Sequence, residues 1–247
     1  MIFNTGFLHS ETCEQILFYN SDTNINNYKQ LKIEFDRYFG KIGNYTFQPF
    51  DNKNIFESQL KKKQYCMLIV SSWYFYHLQQ ELSLKPILIA HRKGVETQQI
   101  ILVKKITQGN EKQLVITNGR VASSMSNVHS KALLNKILVD NNSDHHFKIL
   151  RVPKDIDALM AVGFGMTTYA LSTVHSFNML LNINPPLYNK LCSIGKKVNS
   201  PLMICAVLNQ PANNELQDAF IQMNKIPEGK NSIKMLGIDG FKYYQAE

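Results

Sequence analysis

Residues 65–71, YCMLIVS, carry six apolar side chains in a row before the first polar one. A strand buried on one face alternates apolar and polar positions, so an unbroken run belongs to a strand covered on both faces. Such a strand needs helices on either side of its sheet, and the flanking residues supply them. NKNIFESQLKKKQ (52–64) reads as a helix with Ile55, Phe56 and Leu60 on one side, and SWYFYHLQQEL (72–82) as a helix opened by Ser71 or Ser72. The alternation extends both ways. EQILFYN (14–20), NYTFQPF (44–50), KPILIAH (85–91) and QQIILVKK (98–105) read as strands, the last two joined by a turn at Gly94. NNYKQLKIEFDRYFG (26–40) reads as an amphipathic helix through Tyr28, Leu31, Ile33, Phe35 and Phe39, ended by Gly40. This order predicts an α/β sheet flanked by helices on both faces.

A second unit follows the polar stretch ITQGNEKQ (106–113). LVIT (114–117) is its first strand, which NGRVA extends or interrupts. Then come a helix over 127–140, a strand over 146–152, a helix over 155–164 and a buried strand over 166–173. SPLMICAVLN (200–209) is a further strand, and NELQDAFIQMNKI (214–226) a helix with Leu216, Phe220 and Met223 inward. Residues 1–105 therefore form one unit and 106–200 another, with 201–247 returning to the first. A chain that leaves a lobe and comes back makes a hinge of two crossing segments.

The 247 residues are 44% hydrophobic and 19% charged, which suits a soluble protein whose core needs no metal or disulfide staple. The net charge of +8 favours anionic partners. Its lysine runs at 61–63, 104–105 and 196–197 are scattered and not interleaved with aromatics, which argues against nucleic acid. Cys13, Cys66, Cys192 and Cys205 form no CxxC pair, so no zinc site is expected. Cys66 and Cys205 lie in strand-like apolar runs as buried small side chains, with a bridge between them left open. The pair His145 and His146 reads as surface. No apolar stretch is long enough to span a membrane. The N-terminal MIFNTGFLHSETC lacks the basic start, apolar stretch and cleavage site of a secretory signal.

LQDAFIQMNKIPEGKNSIKMLGIDGFK (216–242) resembles the closing segment of the phosphonate/phosphite-type substrate-binding proteins of ABC transporters, where a helix, a P-x-G turn, a short helix and a Gly-Phe tail follow one another. IFESQLKKKQYCMLIVSSWYF (55–75), KPILIAHRKG (85–94), GRVASSMSNVHSKALL (119–134), IDALMAVGFGMTTYALST (156–173) and NSPLMICAV (199–207) are similar to further segments in the same order. The resemblance covers about residues 14–247. It implies the two-lobe, type 2 periplasmic-binding-protein fold, with mixed sheets flanked by helices and a ligand in the cleft between lobes. It also implies a monomer without cofactor, catalysis or bound metal. Such a protein captures a small oxyanion (phosphonate, phosphite or phosphate-like) by hinge closure and hands it to a membrane permease. The implied location is periplasmic or extracytoplasmic, the signal peptide being absent from this sequence.

The candidate site follows from anion chemistry. Helix N-termini present unpaired N–H groups and a favourable dipole, and hydroxyls add donors without charge. Three stretches have this form: VSSW, with Ser71 and Ser72; SSMSNVHS, with Ser124, Ser126, Asn127, His129 and Ser130; and LSTVHS, with Ser172 and Thr173. Each reads equally as an ordinary helix cap. Their shared place at the carboxyl ends of strands, where open α/β sheets bind ligands, favours the ligand reading. Trp73 and Tyr74 either wall the cleft or pack on the sheet. The sequence departs from the family at several places: PKDID (153–157) replaces a histidine–glutamate pair, Thr168 an acidic residue, and Phe50 and Thr97 fall near pocket tyrosines. Two alternatives remain open: a solute-sensing domain of the same fold, and a thiamine-precursor-type enzyme using His129 or His175.

Overall fold

The computed structural model describes residues 14–20, 25, 27–106, 119–138, 146–208 and 213–245. The strand expected at 114–117, Cys13 and His145 lie outside these residues. The first lobe comprises β1 (Gln15–Tyr19), α1 (Tyr28–Phe39), β2 (Thr46–Pro49), α2 (Lys53–Leu60), β3 (Met67–Val70), α3 (Ser72–Gln79) and β4 (Leu84–His91). The second comprises β5 (Thr97–Lys105), β6 (Gly119–Ser123), α4 (Asn127–Ile137), β7 (Phe147–Arg151), α5 (Asp155–Gly163), β8 (Tyr169–Thr173), α6 (Val174–Ile183), α7 (Pro185–Tyr188) and β9 (Leu191–Pro201). The chain then returns to the first lobe as β10 (Ile204–Leu208), α8 (Asn214–Gln222), α9 (Pro227–Leu236) and β11 (Gly240–Tyr243).

Among the described residues the strands form two sheets, ordered β11-β4-β10-β3-β1-β2 and β7-β6-β8-β5-β9. The unbroken apolar run becomes β3, parallel to β1 and antiparallel to β10, with all four of its residues buried. Its two faces feed two different cores. Leu68 and Val70 join Leu17, Phe56 and Tyr74 on one side, while Met67 and Ile69 join Phe18, Phe35 and Phe220 on the other. Helix α1 buries Leu31, Phe35, Tyr38 and Phe39, a spacing that keeps one stripe against the sheet, and Asn27 caps it by accepting from Gln30 N–H at 2.8 Å.

The sequence reading groups residues 97–105 with the first lobe. Hydrogen bonding instead places β5 between β8 and β9 in the second sheet. The first crossing is thus the tight turn at 92–96, closed by an Arg92–Val95 bridge with Lys93 and Gly94 at positive φ. The second crossing, Leu202 and Met203, lies beside it: Leu202 N–H donates to Glu96 C=O at 2.7 Å, and Ala90 N–H to Met203 C=O at 2.9 Å. The hinge is therefore a turn and a two-residue segment hydrogen-bonded side by side.

Three further differences have local causes. No strand is expected at 191–199, and the strand expected at 200–209 is split, Ser200 and Pro201 ending β9 and Ile204–Leu208 forming β10; β9 is a sheet edge whose outward positions, Lys196 and Lys197 among them, are exposed, so its apolar alternation is weak. Helices α6 and α7 follow β8 directly, opened by the caps Thr173 and Asn184, where no helix is expected from the apolar spacing. The P-x-G segment is not a turn before α9 but its first turn, with Pro227 at the opening position. Gly229 is needed there because a Cβ would lie 2.3 Å from the Met223 carbonyl oxygen. Cys205 is buried and Cys66 half-buried, and the bridge left open between them is not formed.

Candidate functional site

The crevice between the lobes is faced by the carboxyl ends of β3, β1 and β2 on one side and of β8, β6 and β7 on the other. Ser71 precedes α3 in the N-cap position, yet its side chain makes no capping bond. It is 1% exposed and its Oγ has no partner. Ser72 Oγ instead donates to the Pro201 carbonyl at 2.6 Å and lies 3.5 Å from Ser200 Oγ, tying the helix start to the return crossing.

In the second lobe, Ser126 caps α4 by accepting from His129 N–H at 3.1 Å. Ser130 donates to Ser123 Oγ at 2.9 Å, and Ser123 Oγ also accepts from Met125 N–H at 3.2 Å. Asn127 is exposed. Two polar atoms of this loop are buried without a partner: Ser124 Oγ and His129 Nε2. The His129 ring stacks on Trp73 of the first lobe, with centroids 5.8 Å apart and planes 26° apart. The starts of α3 and α4 thus meet across the crevice. Burial, aided by Lys136, pushes the imidazole down to about 4, so it is neutral at pH 7 and offers one N–H and one lone pair.

Ser172 and Thr173 play a different part. Thr173 caps α6 by accepting from Ser176 N–H at 3.0 Å. Both hydroxyls donate to Asp155 Oδ2, at 3.1 and 2.9 Å, and Thr173 N–H adds a third bond at 2.9 Å. Their donors point into the lobe, not into the crevice. Asp155 is fully buried and its Oδ1 has no partner. Burial raises its pKa despite the bonds from Ser176, Thr173 and Ser172. Of the residues singled out in the sequence, Ser71, Ser124 and His129 keep an unpaired polar atom; Ser72, Ser126, Ser130, Ser172 and Thr173 are held in internal hydrogen bonds. His175 packs at the hinge, 3.7 Å from where a Cβ on Gly237 would sit, with burial, Arg92 and Lys93 lowering its pKa.

Between the tips the crevice is filled. Trp73 is 5% exposed and Met125 1%, and both belong to one apolar cluster that runs from Val70 and Tyr74 into Ile100 and Val121. A cavity of about 280 Å³ lies alongside, walled among the described residues by Tyr19, Asn20, Ile25, Tyr28 and Asp51 from the first lobe and Pro153 and Lys154 from the second. None of these is among the candidate residues read from the sequence. The rule that ligands sit at the carboxyl ends of strands points to most of them, since Tyr19 ends β1 and Asn20, Asp51, Pro153 and Lys154 come just after β1, β2 and β7. Among the described residues no group of three or more His, Cys, Asp or Glu side chains is placed to hold a metal, and no helix is long and apolar enough to cross a membrane.

The paired sheets, the double crossing and the facing strand ends define the two-lobe fold of type 2 periplasmic binding proteins. Solved structures that share it include the binding protein component of an ABC phosphonate transporter from Pseudomonas aeruginosa, at TM-score 0.72 and 14% identity over 94% of this chain and 81% of that one. PhnD1 from Prochlorococcus marinus in complex with methylphosphonate is similar at TM-score 0.70 and 13% identity over 94% and 93%. A histidine kinase sensor domain with similarity to periplasmic binding proteins matches at TM-score 0.57 and 13% identity over 93% and 98%. No protein-family model matches the chain, and neither does any curated protein sequence.

Proposed function

We propose that the protein captures a small oxyanion between its lobes without transforming it, as the substrate-binding component of an ABC-type transporter. A phosphonate, phosphite or phosphate-like ion would pass from it to a membrane permease on the extracytoplasmic side. The observation that carries the reading is the set of buried, unpaired polar atoms at the two helix starts: Ser71 Oγ and Ser124 Oγ, with His129 Nε2 beside them. An orphaned buried polar group costs about 1–3 kcal/mol, which a ligand accepting its hydrogen bond recovers. Helix dipoles at α3 and α4 favour negative charge at the same place. Because Trp73 and Met125 occupy the gap, entry requires the hinge to open and the indole to leave His129.

Calorimetric titration with phosphate, phosphite, methylphosphonate and sulfate tests this. Binding of one of them, weakened about tenfold or more by Ser71→Ala or Ser124→Ala, supports the proposal. Failure of all four to bind at about 1 mM, or binding that ignores both serines, overturns it. The apolar packing between the lobes favours a second reading, a sensing domain that rests closed. Solution scattering separates the two: a transport protein opens without ligand and contracts on binding, whereas a closed-resting sensor is already compact.

A further inference from the structure

We infer that Ser72 sets the resting angle of the hinge: its hydroxyl, at the start of a first-lobe helix, holds the last sheet residue of the second lobe and keeps the crevice closed without a ligand. Ser72 acts as a positioning residue. The inference rests on the two-lobe clamp and on no particular ion.

The first support is the place of the acceptor. Pro201 ends β9 opposite Thr97, and the return crossing begins at the next residue. Leu202 N–H points inward, to Glu96 C=O at 2.7 Å. Backbone groups alternate in direction along an antiparallel strand, so the Pro201 carbonyl faces away from β5, on the free edge of the sheet. Proline suits that position because it has no N–H to leave unpaired there. Its carbonyl takes a partner from outside the sheet, Ser72 Oγ–H, at 2.6 Å.

The second support is the donor. Ser71 occupies the N-cap position of α3 and Ser72 is the first helical residue, so its hydroxyl has no capping duty. Ser72 is 2% exposed, and with its proton given to Pro201 it is left to accept from Ser200 Oγ, 3.5 Å away. The bond therefore joins a buried side chain of one lobe to the backbone of the other. An O–H···O bond is made only over about 2.5–3.0 Å, so it favours one lobe angle and is lost when rotation about the crossings carries Pro201 away from α3.

The third support is the next residue. Trp73 follows on the same helix start and stacks on His129 of the second lobe. Two consecutive residues thus hold the crossing and fill the crevice, and a displacement of α3 is felt at both. Removing one hydrogen bond that exists only in the closed form shifts the balance toward the open form by about two- to tenfold.

Trp73 is the chain's single tryptophan, which makes it the probe. Acrylamide quenching of its fluorescence, measured on the full chain without ligand, follows the open fraction while that fraction is small. The quenching constant should rise about two- to tenfold in Ser72→Ala and change less than about twofold in Ser200→Ala, which keeps the bond to Pro201. Hydrogen exchange of the Met125 amide, buried in the opposite lobe, should accelerate by the same factor in Ser72→Ala. Faster quenching without faster exchange at Met125 would mark a local change at α3 and overturn the inference. So would equal effects of the two serine variants, unchanged quenching in Ser72→Ala, or a wild-type Trp73 quenched as freely as in the urea-unfolded chain. A Ser72→Ala chain that no longer melts cooperatively would show that the bond holds the fold and not the angle, which also overturns it. Since no ion is present, each of these failures leaves oxyanion capture standing, and failure of every oxyanion to bind leaves the hinge result standing.

Discussion

His129 makes the closed crevice sensitive to acid. Its imidazole titrates near 6.5 when solvated and near 4 where it is buried against Trp73. Above pH 6.5 both the folded and the unfolded chain hold it neutral and it contributes nothing to pH dependence. Between 6.5 and 4 the unfolded chain binds a proton that the folded one excludes, so stability falls as the pH falls through that window. At about pH 5 the full shift corresponds to about 2 kcal/mol by linkage. The ring is only partly buried, and solvent screening reduces this to about 1 kcal/mol. For a chain of this length that is about 2–4 °C in melting temperature. Thermal melts of the wild type and of His129→Gln from about pH 7.5 to 5 should diverge by that amount, the wild type losing more. His175 and Asp155 titrate in both proteins and cancel in the difference. Parallel pH profiles would refute the claim that the crevice is closed over His129.

Two further changes test the packing. Asp155→Ala removes the acceptor of Ser172 Oγ, Thr173 Oγ1 and Thr173 N–H in a buried site and should destabilise by about 2–4 kcal/mol, seen as a lower urea midpoint at unchanged m; a change below about 0.5 kcal/mol would mean these donors find other partners. Gly229→Ala gains up to about 1 kcal/mol of helix propensity but sets a Cβ against the Met223 carbonyl, and overpacking of about 1–3 kcal/mol should win, lowering the melting temperature.

Much of the architecture was readable along the chain. The run that becomes β3, the apolar stripe of α1 and the caps Ser126 and Thr173 are local signals, each depending on neighbours within a turn or a strand. Where the reading missed, the signal was not local. Strand β9 lies at a sheet edge and shows little apolar alternation, and α6 follows β8 without a break. The assignment of β5 depends on pairing with β8 and β9, strands far along the chain. At the site, SSMSN and LST are both hydroxyl-bearing stretches at the end of a strand. Only the buried Asp155 carboxylate makes Ser172 and Thr173 internal donors, while Ser124 is left without a partner.

Alternating hydrophobicity was enough to dictate an α/β chain with helix starts at its strand ends, because burial of a strand or helix face is written in periods of two and 3.6 residues. It said nothing of which hydroxyls would be paired, that Trp73 would cross to His129, or that Asp51 and Lys154 would wall one cavity. Those outcomes arise when two lobes, joined by two short crossing segments, close on each other. A hydrogen bond or a charge pair across that gap depends on distances that no stretch of neighbouring residues encodes.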